Sequence, residues 1–510
     1  MSSKGLWAYI KRALLAFAIS YVVYCLAYDM PLLSTALPEY SGKYKVGTID
    51  IEAPCERRKV SEALFKDTDK PAFELDTVLF SLYYPAVDEW MFSKPNHPWV
   101  ENIPQHAEGY ARFARINNVV TNSIFSFALW SLVGSTTVPA NVDWPIHGTT
   151  KSYEDYEAEQ PIDNYGLPKF PVIVFSHGQA SSRKSYTQWC GELASRGYVV
   201  AAIEHRDGSG PGSAIYHEDG TSEDVFLISE KLLDPEPDTP QFKEMQLAMR
   251  QAEVEETVRV LRIIDAGFGG DVHKTNARNE GINLLEWKDR LDMDRVVVAG
   301  HSYGATLALQ TLKGAPSEAL PFVGGIILDP GKQSGPLNDD INVPIVIVHS
   351  QSWSARHSMF HGRPHFEVVK ELVEKVNRKE PNKAPKYAWF LSAKGTTHPT
   401  VTDAPLIEPT LLAWTTGASI DSREGVLQYV KVSEEFMQYL EDGHRRGILG
   451  EDVTHPAYNE DARDDDRKAK MSKNIAKYWQ IHVSPETFCP YPGLCGVEQE
   501  TRQGHLRTGT

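Results

Sequence analysis

Between residues 168 and 415 the chain alternates short unbroken apolar runs with longer stretches whose apolar residues recur every three or four positions. The runs are PVIVFSHG (171–178), YVVAAIEHRD (198–207), RVVVAGHS (295–302), FVGGIILD (322–329), PIVIVHS (344–350) and YAWFLSA (387–393). Each is too short for a helix and is bounded by polar or turn-forming residues, which predicts strands buried on both faces. Between them, YTQWCGELASRG (186–197), YGATLALQTL (303–312) and a long stretch from Phe242 to about Ala266 read as helices; Val254, Val258, Leu261 and Ile264 mark the apolar face of the last. Such alternation predicts fold class α/β, with a largely parallel central sheet and helices on both faces.

The flanks read differently. KYKVGTIDI (43–51) and VLFSLYYPA (78–86) predict two further strands. Residues 104–134 form a helical stretch ending in the apolar SIFSFALWSLVG (123–134), expected to cover the core, with lipid contact as the alternative. Residues 135–168 read as a long surface connection and 208–241 as a polar surface excursion. The resulting division is a signal or anchor segment (1–34), an N-terminal extension and partial cover (35–167), the α/β core (168–450) and a tail (451–510). The tail carries the charge-dense DARDDDRKAKMSK (461–473) and is expected to pack weakly.

Composition narrows the partners. With 510 residues and 41% hydrophobic content, the chain can bury a large core. A net charge of −16, from 68 acidic and 52 basic residues, opposes nucleic-acid binding. Five cysteines are too few to staple such a chain. Cys489 and Cys495 sit close enough to pair in an oxidising compartment, with two free thiols as the alternative, and Cys190 reads as a small buried hydrophobe. Lys4, Lys11 and Arg12 flank the apolar LLAFAISYVVYCLA (14–27), which is short for a bilayer span and suits a secretory signal or a membrane anchor. Membrane association or the secretory pathway is therefore expected, with a cytoplasmic protein as the alternative.

The strongest chemical signal is Gly300-His301-Ser302-Tyr303-Gly304, placed between the strand Val296–Ala299 and a helix. A serine on a sharp strand-to-helix turn, with glycine two positions to either side, is presented as a nucleophile. A serine nucleophile needs a base, and the base needs an orienting acid. Asp329 ends the next strand, with Asp339, Asp340 and Asp403 as rival acids. His398 lies after the strand 387–393, with His349 as its rival. The loop after residues 171–178 and the start of the next helix offer the N–H groups of Gln179 and Tyr303 to a developing oxyanion. His177 reads as an orienting histidine, and Glu204-His205-Arg206-Asp207 as charged support rather than a second acid–base pair. No nucleotide-binding loop or metal-ligand spacing is present, so neither cofactor nor metal is expected.

LVGSTTVPAN (132–141), PVIVFSHG, ELASRGYVVAAIEHRDGS (192–209), GHSYGA (300–305), ILDP (327–330) and GTTH (395–398), in that order, resemble the platelet-activating factor acetylhydrolase family of the plasma/intracellular type II branch. The resemblance covers roughly residues 44–420 and is to a fungal-type member. It implies the α/β-hydrolase fold and a Ser302–Asp329–His398 triad without a metal. It also implies oxyanion N–H groups at Gln179 and Tyr303, and hydrolysis of short acyl esters of glycerophospholipids. The expected partner is a phospholipid or other lipid ester, with the membrane surface a further expectation; oligomeric state is open. Two rivals remain, a carboxylesterase or lipase of neutral esters and an inactive binding module. The chain departs from the family in its polar GQASS loop and in Pro330, which follows the acid where a bulky residue is usual.

Overall fold

The computed structural model describes residues 3–28, 30–149, 166–217, 220–355, 357–378, 387–457 and 471–485. Strand periodicity sorts the apolar runs between two cores, one on each face of a single sheet. In the strand ending at His301, Val296 and Val298 join one core while Val297 and Ala299 join the other. Val172 and Val174 part from Ile173 and Phe175 in the same way, as do Ile345 and Ile347 from Val346 and Val348. A strand with both faces buried must be apolar throughout, hence the unbroken runs.

Among the described residues the sheet has ten strands. In chain order they are β1 (Lys45–Lys59), β2 (Glu74–Ala86), β3 (Asn141–Val142), β4 (Phe170–Ser176), β5 (Val199–Glu204), β6 (Leu291–His301), β7 (Phe322–Leu328), β8 (Ile345–Ser350), β9 (Ala388–Ala393) and β10 (Trp479–Val483). Their spatial order is β10-β9-β8-β7-β6-β4-β5-β2-β1-β3. The strands from β5 through β9 run parallel, whereas β2 and β10 pair antiparallel with β5 and β9. Strands β1 and β2 therefore extend the sheet across the boundary expected at residue 167.

Helices close both faces. On one lie α5 (Thr239–Ile263), α6 (Tyr303–Thr311) and α7 (His365–Val376), which contribute Val258, Leu307 and Val369 to the core. On the other lie α4 (Thr187–Ala194) and, after the short α8 (Pro409–Thr416), α9 (Ser422–Asp442); α4 and α9 contribute Trp189, Cys190 and Phe436. Cys190 is indeed a buried hydrophobe. The sequence reading singled out neither α7 nor α9.

Three expectations need correction. The apolar run 14–27 belongs to a longer exposed helix, α1 (Ser3–Ala27), whose Tyr9–Ala27 portion has 19 residues and a mean hydropathy of 1.6, enough by length and composition to cross a membrane. The stretch 104–134 is two helices, α2 (Ile103–Phe113) and α3 (Val119–Val133), the second begun by an Asn118 capping box. It covers the core on one side only: Leu129 and Leu132 pack inward, while Ile124, Phe127 and Trp130 face outward. Within the tail, residues 471–485 are packed rather than loose, because Trp479 and Ile481 on β10 bury themselves against β9 and α9. Most of the acidic run 461–473, and Cys489 and Cys495, lie outside the described residues.

Candidate active site

Because β4, β6, β7 and β9 are parallel, the residues that follow them gather at one edge of the sheet, where sites in such folds form. Ser302 sits between β6 and α6 with φ 57° and ψ −116°, a backbone strain of order 1–3 kcal/mol for a residue bearing a Cβ. The turn holds because its glycines let neighbouring chain come close. A Cβ on Gly304 would stand 2.0 Å from the carbonyl oxygen of Ser176, and one on Gly300 would stand 2.2 Å from that of Gly304. The Ser302 N–H donates to the Leu328 carbonyl at 3.0 Å, tying the turn to the end of β7.

From the serine a single hydrogen-bonded line runs inward. His398 Nε2 lies 3.0 Å from Ser302 Oγ, and His398 Nδ1 lies 2.9 Å from Asp329 Oδ2. Asp329 accepts two more bonds from Ser350, at 2.6 Å from its N–H and 2.7 Å from its hydroxyl, which fix the carboxylate's plane. With the carboxylate as acceptor, the imidazole carries its proton on Nδ1 and leaves Nε2 free to take one from serine. Such an arrangement can generate a serine nucleophile and protonate a leaving alcohol.

The rivals do other work. Asp403 is buried and accepts from Thr187 N–H (2.8 Å), Thr187 hydroxyl (2.7 Å), Gln188 N–H (2.9 Å) and the Trp99 indole (3.0 Å), so it caps α4. Asp339 pairs with Lys375 at the surface and Asp340 is exposed. His349 faces Ser354 Oγ at 3.1 Å and stacks on His365. His177 donates from Nδ1 to the Gly178 carbonyl (2.7 Å) and accepts the His205 N–H at Nε2 (3.1 Å). Burial, aided by Arg250, lowers its pKa to about 4, so it is a neutral strut.

The loop Gly178–Ala180 is braced from two sides. The Tyr186 hydroxyl accepts the Gly178 N–H at 3.1 Å and donates to His301 Nδ1 at 2.8 Å. The Ala180 N–H donates to the Ser209 carbonyl at 2.8 Å, and Arg250 reaches both the His177 carbonyl (2.8 Å) and Asp207 (2.7 Å). A Cβ on Gly178 would stand 3.1 Å from Ser302 Cβ, so the loop lies directly over that serine. Gln179 lines the resulting cleft of about 260 Å³ with Trp99, Tyr110, Tyr186, Ser302 and His398. Tyr303 opens α6, and a first-turn N–H has no acceptor within its own helix. A larger cavity, about 540 Å³, lies away from this edge among Trp90, Phe92, Lys94 and Asn283.

The stretch 204–207 is a compensated charge network. Glu204 accepts the Arg183 N–H, Arg206 bonds Glu52 at 2.7 Å, and His205 lies between Ser176 Oγ (2.7 Å) and Glu253 (2.6 Å). Burial pushes the Glu253 pKa up to about 8 and holds His205 well below its ordinary value, so one proton stays between them. Burying such groups is tolerable because each is paired and hydrogen-bonded.

Donor atoms of His301, Asp329 and His398 fall within 4.8 Å of one another, and so do those of Asp50, His97 and Glu280. In the first group both His398 nitrogens and His301 Nδ1 already face Asp329, Ser302 and Tyr186. In the second, Arg183 (2.8 Å) and Lys184 (3.2 Å) already supply positive charge to Asp50. Neither donor set suits a resident cation.

The sequence reading missed Tyr186 and Trp353. Trp353 lies flat on the His398 ring, with centroids 3.7 Å apart and planes 7° from parallel. The Pro330 carbonyl accepts the Trp353 indole N–H at 2.9 Å, so the residue noted as a departure helps to hold this ring.

The chain is similar to known proteins over part of its length. The bovine (Bos taurus) platelet-activating factor acetylhydrolase is 29% identical over 297 residues, covering 58% of this chain and 54% of the relative. The chicken (Gallus gallus) protein of the same name is 28% identical over 293 residues, covering 54% and 60%. The chain thus spans little more than half the length of the curated relatives it matches. A solved structure of a ferulic acid esterase from Streptomyces cinnamoneus aligns at 16% identity with a TM-score of 0.49, covering 82% of this chain and 96% of the other. The profile of the family "Platelet-activating factor acetylhydrolase, isoform II" matches residues 32–447, and the chain belongs to that family.

Proposed function

We propose that the chain is a serine esterase that removes short acyl groups from glycerophospholipids, 1-alkyl-2-acetylglycerophosphocholine among them. The observation that carries this reading is the unbroken line from Ser302 Oγ through His398 to Asp329, at 3.0 and 2.9 Å, on a strained elbow beneath the Gly178–Gln179 loop. His398 takes the Ser302 proton as the oxygen attacks the ester carbonyl, and Asp329 holds the imidazole in orientation. The N–H groups of Gln179 and Tyr303 receive the developing oxyanion, a contribution of roughly 3–4 kcal/mol per donor in a comparable site. The lysophospholipid leaves with a proton from His398, and water then attacks the acyl-enzyme by the reverse route. No step calls for a metal. Family membership supports a lipid ester as substrate, and a fungal-type member is the proposed branch.

A membrane surface is the proposed working place. Helix α1 supports attachment, and the outward Phe127 and Trp130 of α3 support contact by the body of the enzyme. The deciding experiment compares hydrolysis of short-acyl phosphatidylcholines with equally short neutral esters by the chain and its Ser302→Ala variant. Preference for the phospholipids, lost in the variant, supports the reading. Preference for neutral esters points to a carboxylesterase or lipase, and binding without turnover points to an inactive module.

A further inference from the structure

Two hydrogen bonds do not by themselves fix the ring of His398. Bonds at Nδ1 and Nε2 define a line through the imidazole, and the ring remains free to rotate about that line. The His398 side chain is 28% exposed, so packing on all sides does not remove this freedom. Trp353 does, because a flat surface 3.7 Å away admits one orientation of the ring plane. The indole is itself fixed by its bond to the Pro330 carbonyl at 2.9 Å.

The other face of the indole is also occupied. Lys332 Nζ lies 3.5 Å from the Trp353 ring centroid and donates to Ser358 Oγ at 2.8 Å. An imidazole and an ammonium this close to one ring would overlap on a single face, so they lie on opposite faces. The ammonium is drawn to the ring's π density and, anchored to Ser358, backs the indole against the imidazole. His301 packs on the imidazole at 4.4 Å between centroids but tilted by 38°, which leaves the flat contact to Trp353.

We propose that Trp353 and Lys332 are positioning residues for the base: the indole sets the plane in which His398 serves Ser302 and Asp329 together, and the ammonium behind it holds the indole against that ring. This inference rests on reading Ser302, His398 and Asp329 as the triad.

The test uses the full chain, p-nitrophenyl acetate as substrate, and active-site titration with an organophosphonate so that rates refer to folded enzyme. Trp353→Leu is expected to lower kcat roughly 10–100-fold with KM within about twofold, and Trp353→Phe to recover most of the loss. Lys332→Met, which takes away the backing of the indole, is expected to lower kcat roughly 2–5-fold with KM unchanged. A purely structural role would reduce the titrated fraction and leave kcat per titrated site in place. The proposal is overturned by a Trp353→Leu or a Lys332→Met variant with normal kcat per titrated site. If Trp353→Leu does not fold, Lys332→Met decides alone. An active Ser302→Ala variant overturns the triad and this proposal together. An inactive one beside normal Trp353 and Lys332 variants overturns this proposal only.

Discussion

Tyr186 and His301 meet at 2.8 Å, phenol oxygen to Nδ1, and the same phenol oxygen receives the N–H of Gly178 at 3.1 Å. One side chain on the approach to α4 therefore holds both the residue before Ser302 and the loop over it. Tyr186→Phe removes both bonds and leaves two buried polar groups without partners, each a cost of about 1–3 kcal/mol. The expected outcome is a Tm lowered by several degrees and a kcat reduced about tenfold or more, read by calorimetry and ester hydrolysis. A variant with parent-like turnover would remove Tyr186 from the account of the loop.

An organophosphonate ester probe is expected to label Ser302 and no other serine. Ser302→Ala, His398→Ala and Asp329→Asn should each lower turnover by roughly 10⁴-fold or more, and the double variants should be no worse than the singles. Peptide mapping locates the adduct. An adduct on another serine, or additive losses, would refute the triad.

Activity is expected to survive exhaustive dialysis against a chelator, since the proposed oxyanion donors are backbone N–H groups. Loss of hydrolysis that Ca²⁺ or Zn²⁺ specifically restores would overturn this.

Stability should depend on pH through His205 and Glu253. Between the ordinary carboxylate and imidazole pKa values, the folded and unfolded chains each keep one proton on this pair, and its contribution is flat. Above about 6.5 the unfolded histidine gives its proton up while folded Glu253 keeps its own, so stability falls until about pH 8. Below about 4.5 the unfolded chain binds a second proton and stability falls again. Glu253→Gln replaces the neutral acid by an amide able to make the same bonds. Denaturant titration of this variant should show a shallower decline from pH 6.5 to 8 than the parent; an unchanged decline would assign it to other groups.

Removal of residues 1–33 should shift the protein from vesicles to solution. Leaving a side chain the size of Phe17, Ile19 or Leu26 in water forgoes roughly 1.5–3 kcal/mol. Sedimentation with phosphatidylcholine vesicles, alongside N-terminal sequencing, reads the result. If the truncated form still sediments, Phe127→Ser with Trp130→Ser on α3 should release it. If the intact form never sediments, the anchor idea fails.

The sequence by itself determined what local chemistry dictates. Unbroken apolar runs specified strands buried on both faces, and Gly300 and Gly304 around Ser302 specified a turn whose close contacts exclude any Cβ. The sequence could not choose between Asp329 and Asp403, because each is an acid in a plausible loop. Only the neighbouring register of β6 and β7, which pairs His301 with Leu328, sets Asp329 near Ser302, while packing against α4 turns Asp403 into a cap. His349 and His398 were parted in the same way, by what lies across from each strand end. Tyr186, Trp353 and Lys332 carried no signal, since their roles rest on ring contacts and hydrogen bonds between loops from different strands. Strand β10 was hidden by its charged flank, and its apolar residues found their partner only once β9 offered an open edge. Periodicity reports what one element must bury, whereas which loops meet at the sheet's edge depends on strand order, which only the folded chain has.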